Sequence, residues 1–370
     1  MKVVIIGAGI AGASAAYHLA KAGVEVIVVD RKEPGRATDA AAGIICPWIS
    51  QRRNKAWYAL AKGGAAYYPS LIEQLKLEGE KDTGYKRVGA ISLHTDEEKL
   101  AKMMERALKR KEDAPEMGEI RLLTEEETNE RFPLLSQEYR AVYVEGAARV
   151  NGRSLRNALM NVAKQYGAQT ITGSAELKIV LDEVRVHVEN QMLHADRIIV
   201  TAGAWAEELL KPLVPFRVKG QKAQILHLNT PDRATGDWPV VMPPNDQYIL
   251  AFEDGRIIAG ATHEDDCEFD LRSTAGGMHE VLHKTLTVAP GLADAEFVEA
   301  RIGYRPFTKG FLPVIGQLPG YEHVYVVNGL GASGLTVGPF LGQQLSKLIV
   351  GEDPDLNLEP YAVSGAVEED

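Results

Sequence analysis

An α/β chain is predicted, in which a parallel sheet is interrupted by a second, mostly antiparallel one. Three observations predict it. A β-branched run ends in a glycine triplet within residues 2–12, similar strand-to-glycine passages recur near 196–203 and 324–338, and two intervening stretches, 83–95 and 216–262, are rich in alternating β residues. Continuous apolar runs suit strands buried on both faces; alternation suits strands with one face exposed.

The first element is the most specific. In MKVVIIGAGIAGASAAYHLAKAGVEVIVVD, Lys2–Ile6 predicts a strand, Ala13–Ala22 a helix with Ala16, Leu19 and Ala20 at helical spacing, and Val24–Val29 a second strand closing on Asp30. Gly23 follows the helix as a C-terminal cap would. This is the Rossmann-like dinucleotide-binding unit. Gly7 permits the tight turn, Gly9 with Ile10 and Ala11 brings backbone to a pyrophosphate at the helix N-terminus, and Gly12 lets helix and strand pack closely. Asp30, followed by Arg31, stands where a carboxylate accepts hydrogen bonds from adenosine ribose hydroxyls. A lysine, an apolar run and small residues also describe an export signal, but cleavage there would destroy a complete strand–helix–strand unit.

FAD and NAD both use this unit, and the next segment bears on the choice. RKEPGRATDAAAGII resembles the stretch of the D-amino-acid oxidase family in which a threonine, small residues and a glycine wrap the FAD pyrophosphate and reach the flavin. Glycine oxidase and D-amino-acid dehydrogenase-like members are the nearest in pattern. The resemblance implies FAD contacts at Ala37, Thr38, Ala42, Gly43 and Ile44. Small side chains there also make sense alone, because backbone amides reach phosphate or flavin oxygens only where nothing bulky intervenes. A flexible alanine-rich loop is the alternative.

Helices are predicted over Glu97–Arg110 and Thr124–Phe132, the second opened by the capping box of Thr124 and Glu127. The Lys109–Lys111 patch sits among acids and reads as a solvated helix face. Ser154–Tyr166 predicts a helix and Gln169–Thr172 a strand; by resemblance they lead to the adenine side, where Glu176 occupies a position that is often valine in relatives. Asp196–Thr201 predicts a strand entering TAGAWAEELL, and the resemblance implies further FAD contacts at Thr201, Ala202, Gly203 and Trp205. Val324–Val327 predicts a late strand and Pro339–Ile349 a last helix. Since only a helix and a tail follow, a second independent dinucleotide site is excluded. The turn of Leu330, Gly331, Ala332, Ser333, Gly334, Leu335 and Thr336 is read instead as lying against the isoalloxazine ring, with the helix N-terminus facing its pyrimidine edge.

The chain therefore divides into an FAD-binding domain of residues 1–82, 147–217 and 300–370 and an α+β substrate-binding domain of residues 83–146 and 218–299. The acidic tail Val367–Asp370 is expected to fray.

The chemistry lies late in the sequence. RIGYRPFTKGFLPVIG, residues 301–316, resembles the family element whose arginine clamps the substrate carboxylate; Arg305 is the match and Arg301 the candidate for a structural salt bridge. A guanidinium suits this because its planar fork binds a carboxylate through two parallel hydrogen bonds. Tyr248 matches a tyrosine that hydrogen-bonds the amino-acid substrate, whereas Asp246 stands where glycine oxidase has a histidine. No Ser/His/Asp order, H-E-x-x-H element or His–Cys ligand spacing appears. The resemblance implies that no protein acid or base is needed. A neutral amine gives the hydride on its α-carbon to flavin N5, and water hydrolyses the resulting imine. The substrate would be a small amino acid or secondary amine: glycine, sarcosine, a D-amino acid or a cyclic imino acid. The acceptor stays open between oxygen and a quinone or other carrier, because Ile257–Ala259 offers no lysine of the kind sarcosine oxidases use with oxygen. Those enzymes also tether FAD through a cysteine near the position of Gly303, so non-covalent FAD is expected here.

Composition narrows the alternatives. A net charge of -10 argues against sequence-independent nucleic-acid binding, and no run is long and apolar enough for a membrane span. Two cysteines in 370 residues, Cys46 and Cys267, suggest neither a disulfide framework nor a zinc site, so a cytoplasmic protein is expected, with homo-oligomerisation open. An NAD-linked dehydrogenase and a non-enzymatic FAD-binding redox sensor are the competing readings.

Overall fold

The computed structural model describes residues 1–368. KVVII forms the strand Lys2–Ile6, whose last four residues are buried because it lies inside a six-stranded sheet. The order is Val314–Leu318, Tyr321–Asn328, Arg197–Val200, Lys2–Ile6, Glu25–Asp30, Gln169–Thr172. All run parallel except Val314–Leu318, which turns back against Tyr321–Asn328. Helix Ile10–Lys21 packs against both Gly152–Gln165 and Gly334–Val350. Its small residues allow that approach: a Cβ on Gly342 would sit 2.7 Å from the Ala11 carbonyl oxygen.

The second sheet has eight strands in the order Glu296–Phe307, Lys219–Asn229, Arg256–Gly260, Tyr248–Ala251, Val240–Met242, Ala90–His94, Arg140–Val144, Ile120–Leu123. Every neighbouring pair is antiparallel except Val240–Met242 with Ala90–His94. The longest pairing, Lys219–Asn229 with Glu296–Phe307, places Gln221 opposite Arg305 and Ala223 opposite Gly303.

Several elements differ from expectation for physical reasons. The last helix begins at Gly334, ahead of Pro339. Proline removes the N–H that would bond the carbonyl four residues earlier; here that carbonyl, of Leu335, accepts from the Tyr68 hydroxyl instead. Helix Lys55–Leu77, which no motif singled out, carries Gly63, Gly64 and Pro69, residues unfavourable to helix on local propensity. The glycines mark a close crossing, since a Cβ on Gly64 would lie 2.2 Å from the Thr336 carbonyl oxygen. Within the basic patch, Lys109 and Lys111 are exposed, but Arg110 donates to the carbonyls of Trp48 and Ser50 at 2.7 Å. The tail is tied down as far as it is described: Val367 bridges to Phe216, and Glu368 accepts from Arg217 at 2.7 Å. Residues 369–370 lie outside the described residues.

The capping box forms as the sequence predicts. Glu127 N–H donates to Thr124 Oγ1 at 3.2 Å and Thr124 N–H to Glu127 Oε2 at 2.9 Å. Replacing Thr124 by alanine is expected to lower stability by about 1 kcal/mol, read as a shift in the urea midpoint with unchanged slope.

Candidate active site

Residues from both sheets enclose a cavity of about 830 Å³. The six-stranded sheet and its connections contribute Gly7, Gly9, Ile10, Ala11, Asp30 and Arg31 at one end of the first strands, and Thr201, Ala202, Gly203 and Trp205 after Arg197–Val200. Ala37, Thr38, Ala42, Gly43 and Ile44 line it from the connection after Asp30, and Glu176 from the hairpin strand Ala175–Val180. Leu330, Gly331, Ala332, Gly334, Leu335 and Thr336 close it at the start of the last helix; Arg305 and Tyr248 reach it from the antiparallel sheet.

Two of the residues expected at the cofactor stand back from the cavity. A Cβ on Gly12 would meet the Gly7 carbonyl oxygen at 2.0 Å, so this glycine acts through packing. Ser333 accepts from the Trp57 indole at 3.1 Å. Glu176 is exposed and pairs with Lys178 at 2.8 Å.

The turn at Gly7 is held by several contacts. Gly7 has φ +105°, and a Cβ there would lie 2.5 Å from the Thr201 carbonyl oxygen. Thr201 Oγ1 donates back to the Gly7 carbonyl at 2.7 Å. Asp30 accepts from Ala8 N–H and Lys32 N–H at 2.6 Å and from Arg36 at 3.1 Å. Arg36 also pairs with Asp39, which Arg156 holds from the far side at 2.7 Å. Arg36 lines the cavity and was missed; its place in GRAT, next to residues already singled out, was the available signal.

Whether these residues fit FAD is tested by where side chains are missing. Gly9 has an ordinary φ of -69°, and a Cβ there meets nothing nearer than Thr38 Oγ1 at 3.5 Å. Gly334 is similar, its nearest neighbour being Leu330 Cβ at 3.8 Å. Neither glycine is demanded by the polypeptide, so each keeps volume free at the start of a helix whose N-cap residue makes no side-chain cap, although Ile10 N–H of the first helix donates to Thr38 Oγ1 at 3.0 Å. Helix N-termini with clear backbone amides are what a pyrophosphate and the electron-rich edge of a flavin require. The residues fit the cofactor.

At the other end, Arg305 is half-buried. Its Nη1 donates to Gln221 Oε1 at 3.1 Å and to the Thr262 carbonyl at 3.5 Å. Arg301 pairs with Glu299 through Nε at 2.8 Å, the structural role considered for it. The Tyr248 ring lies across Gly260, where a Cβ would come within 2.9 Å of its hydroxyl. Burial raises the Tyr248 phenol against the lowering effect of Arg305, so at neutral pH it remains a hydroxyl donor. Ala223, Ile225 and Gly303 give apolar walls beside them; the first two were not named from the sequence, where alternation along Lys219–Asn229 was the signal for them. Asp246 is absent from the lining and instead pairs with Lys284 at 2.8 Å.

Comparisons with known proteins agree with this geometry. An uncharacterized oxidoreductase of Bacillus subtilis (strain 168), YurR, is 60% identical over 367 residues, covering 98% of this chain and 99% of that protein. A glycine oxidase of Pseudomonas aeruginosa is 31% identical over 377 residues, covering 98% and 99%. Among solved structures, iminodiacetate oxidase from Chelativorans sp. BNC1 has a TM-score of 0.95 at 45% identity, covering 97% of this chain and 98% of that one. The family model described as FAD dependent oxidoreductase matches residues 2–348. FAD is accordingly the cofactor, and the NAD-linked reading is set aside. The chain belongs to the DAO family of FAD-dependent oxidoreductases.

Proposed function

We propose that this protein oxidises the C–N bond of a small carboxylated amine: glycine, an N-substituted glycine such as sarcosine or iminodiacetate, a D-amino acid or a cyclic imino acid. The observation that carries the reading is Arg305, a guanidinium on the cavity wall whose hydrogen bonds go to an amide and a carbonyl, not to an acid. The names of the glycine and iminodiacetate oxidases to which the chain is similar support the same substrate class.

Bound non-covalently, FAD supplies the two-electron acceptor for the C–H bond next to nitrogen. The chain's own residues supply orientation. Arg305 takes the carboxylate through its fork and fixes where the α-carbon points. The Tyr248 hydroxyl donates to a carboxylate or amine acceptor, while Ala223, Ile225 and Leu330 exclude water from the same space. Neither Cys46 nor Cys267 lines the cavity, and burial pushes the Cys46 thiol up to about 12, so no thiolate stands ready to tether the cofactor. Lys222 is engaged outside the lining, its Nζ donating to the Arg272 carbonyl at 2.9 Å. The domain division at residues 82, 147, 218 and 300 belongs to this reading; the distribution of strands supports the first three boundaries, whereas the one at 300 falls inside Glu296–Phe307, which stays in the antiparallel sheet to its end. Among the described residues no helix is long and apolar enough to cross a membrane.

The purified protein is expected to show a flavin spectrum that glycine, sarcosine, iminodiacetate, D-alanine or D-proline bleaches anaerobically. A yellow protein that no carboxylated amine bleaches would overturn the reading in favour of a flavin-binding sensor. Hydrogen peroxide release on admitting air identifies oxygen as acceptor.

A further inference from the structure

A guanidinium that clamps a substrate must be fixed in place and still carry an unneutralised charge. We propose that Gln221 is a neutral tether for Arg305: a positioning residue that holds the guanidinium through an amide locked from its far side by Asp265, leaving the charge to the substrate carboxylate. This rests on the reading of Arg305 as the clamp.

Gln221 and Arg305 are register partners on adjacent antiparallel strands, so the backbone ladder sets their separation. Arg305 Nη1 donates to Gln221 Oε1 at 3.1 Å, and Gln221 Nε2 donates to Asp265 Oδ1 at 2.8 Å. Arginine has only donors and an ionised aspartate only acceptors, so just one orientation of the amide satisfies both neighbours. A flipped amide would set N–H against guanidinium and carbonyl against carboxylate. The three side chains thus have a fixed polarity, and what touches Arg305 is a dipole.

Other arginines of this region are handled differently. Arg301 has Glu299, Arg36 has Asp30 and Asp39, and Arg272 has Asp270. Among the described residues, Arg305 has no carboxylate within the 4.0 Å of an ion pair. Asp265 is one side chain further away and exposed, where water screens its charge. A glutamate at position 221 would have nearly the same shape, but would place a counter-ion on the guanidinium and compete with any carboxylate arriving from the cavity.

The test uses the holoenzyme, acetate as the probe of carboxylate binding through perturbation of the flavin spectrum, and steady-state kinetics with the most active carboxylated amine. Gln221→Glu is expected to weaken acetate and raise KM by about 10- to 100-fold, with kcat changed much less, as for loss of a charge-assisted hydrogen bond. Gln221→Ala should be milder, a few-fold, because it loosens the fork without neutralising it. That order is the signature: a merely structural role makes the near-isosteric glutamate the mild variant and alanine the damaging one. Wild-type acetate affinity and KM in Gln221→Glu overturn the tether. If Arg305→Lys is also like wild type, the clamp reading has fallen with it; if Arg305→Lys is impaired, the tether alone has. Should Gln221→Glu not accumulate folded, Gln221→Met takes its place, with a few-fold rise in KM expected and an unchanged KM overturning the proposal.

Discussion

Arg305→Ala is expected to raise KM for a carboxylated amine by roughly two to three orders of magnitude, within the 2–5 kcal/mol typical of truncating one member of a desolvated charge pair. The fold should tolerate the change. Among the described residues Arg305 gives only one hydrogen bond of good length, to Gln221, and no ion pair, so its removal strands no buried charge there. The penalty appears when a carboxylate enters and finds no cation. Arg305→Lys keeps the charge but lacks the planar fork, and should recover part of the affinity and less of the turnover, because orientation is what a point charge does not fix. Steady-state kinetics on the substrate picked out by anaerobic titration measure both, and an unchanged KM in Arg305→Ala would remove the clamp.

The glycine turn offers the second large effect, and here two neighbouring glycines should fail in opposite ways. Gly9→Leu is expected to leave secondary structure and melting temperature near wild type while abolishing bound flavin. The backbone at Gly9 is ordinary, and its Cβ has room only because the cavity is there. Gly7→Ala is expected to lower stability by several kcal/mol, since it combines a positive φ with a 2.5 Å approach to the Thr201 carbonyl oxygen. Circular dichroism with flavin absorbance separates the two. A Gly9→Leu protein that purifies yellow would show that no part of the cofactor approaches that amide.

Much of the parallel sheet was legible because its signals are local. In GAGIAG the turn, the close approach and the helix start all follow from residues a few positions apart, and KVVII can be little other than a doubly buried strand. FAD was legible only through resemblance, as the physics of the turn does not distinguish one dinucleotide from another. What was illegible depended on distant partners. Gly63, Gly64 and Pro69 break a helix on local propensity, yet Lys55–Leu77 persists because another helix crosses it closely at those glycines. Likewise Pro339 is admitted by a hydroxyl donated from Tyr68, far away in sequence. The carbonyls that engage Arg110 and the ion pair that occupies Asp246 are invisible to any window of neighbouring residues. Gln221 belongs here too, since only the strand register brings it to Arg305.

The cavity takes its walls from Gly7 at one extreme of the chain and Thr336 near the other. Tyr321–Asn328 docks beside Arg197–Val200, which itself docks beside Lys2–Ile6, so the sheet under the cofactor is completed by a strand far downstream of the first. Loop-closure entropy must be overcome across that whole span before native contacts compensate it, which makes such topologies slow to form. On the ribosome the N-terminal glycine turn therefore emerges long before the wall it needs. A complete flavin wall therefore has to wait for Tyr321–Asn328 to dock, and until then the earlier strands form an unfinished parallel sheet.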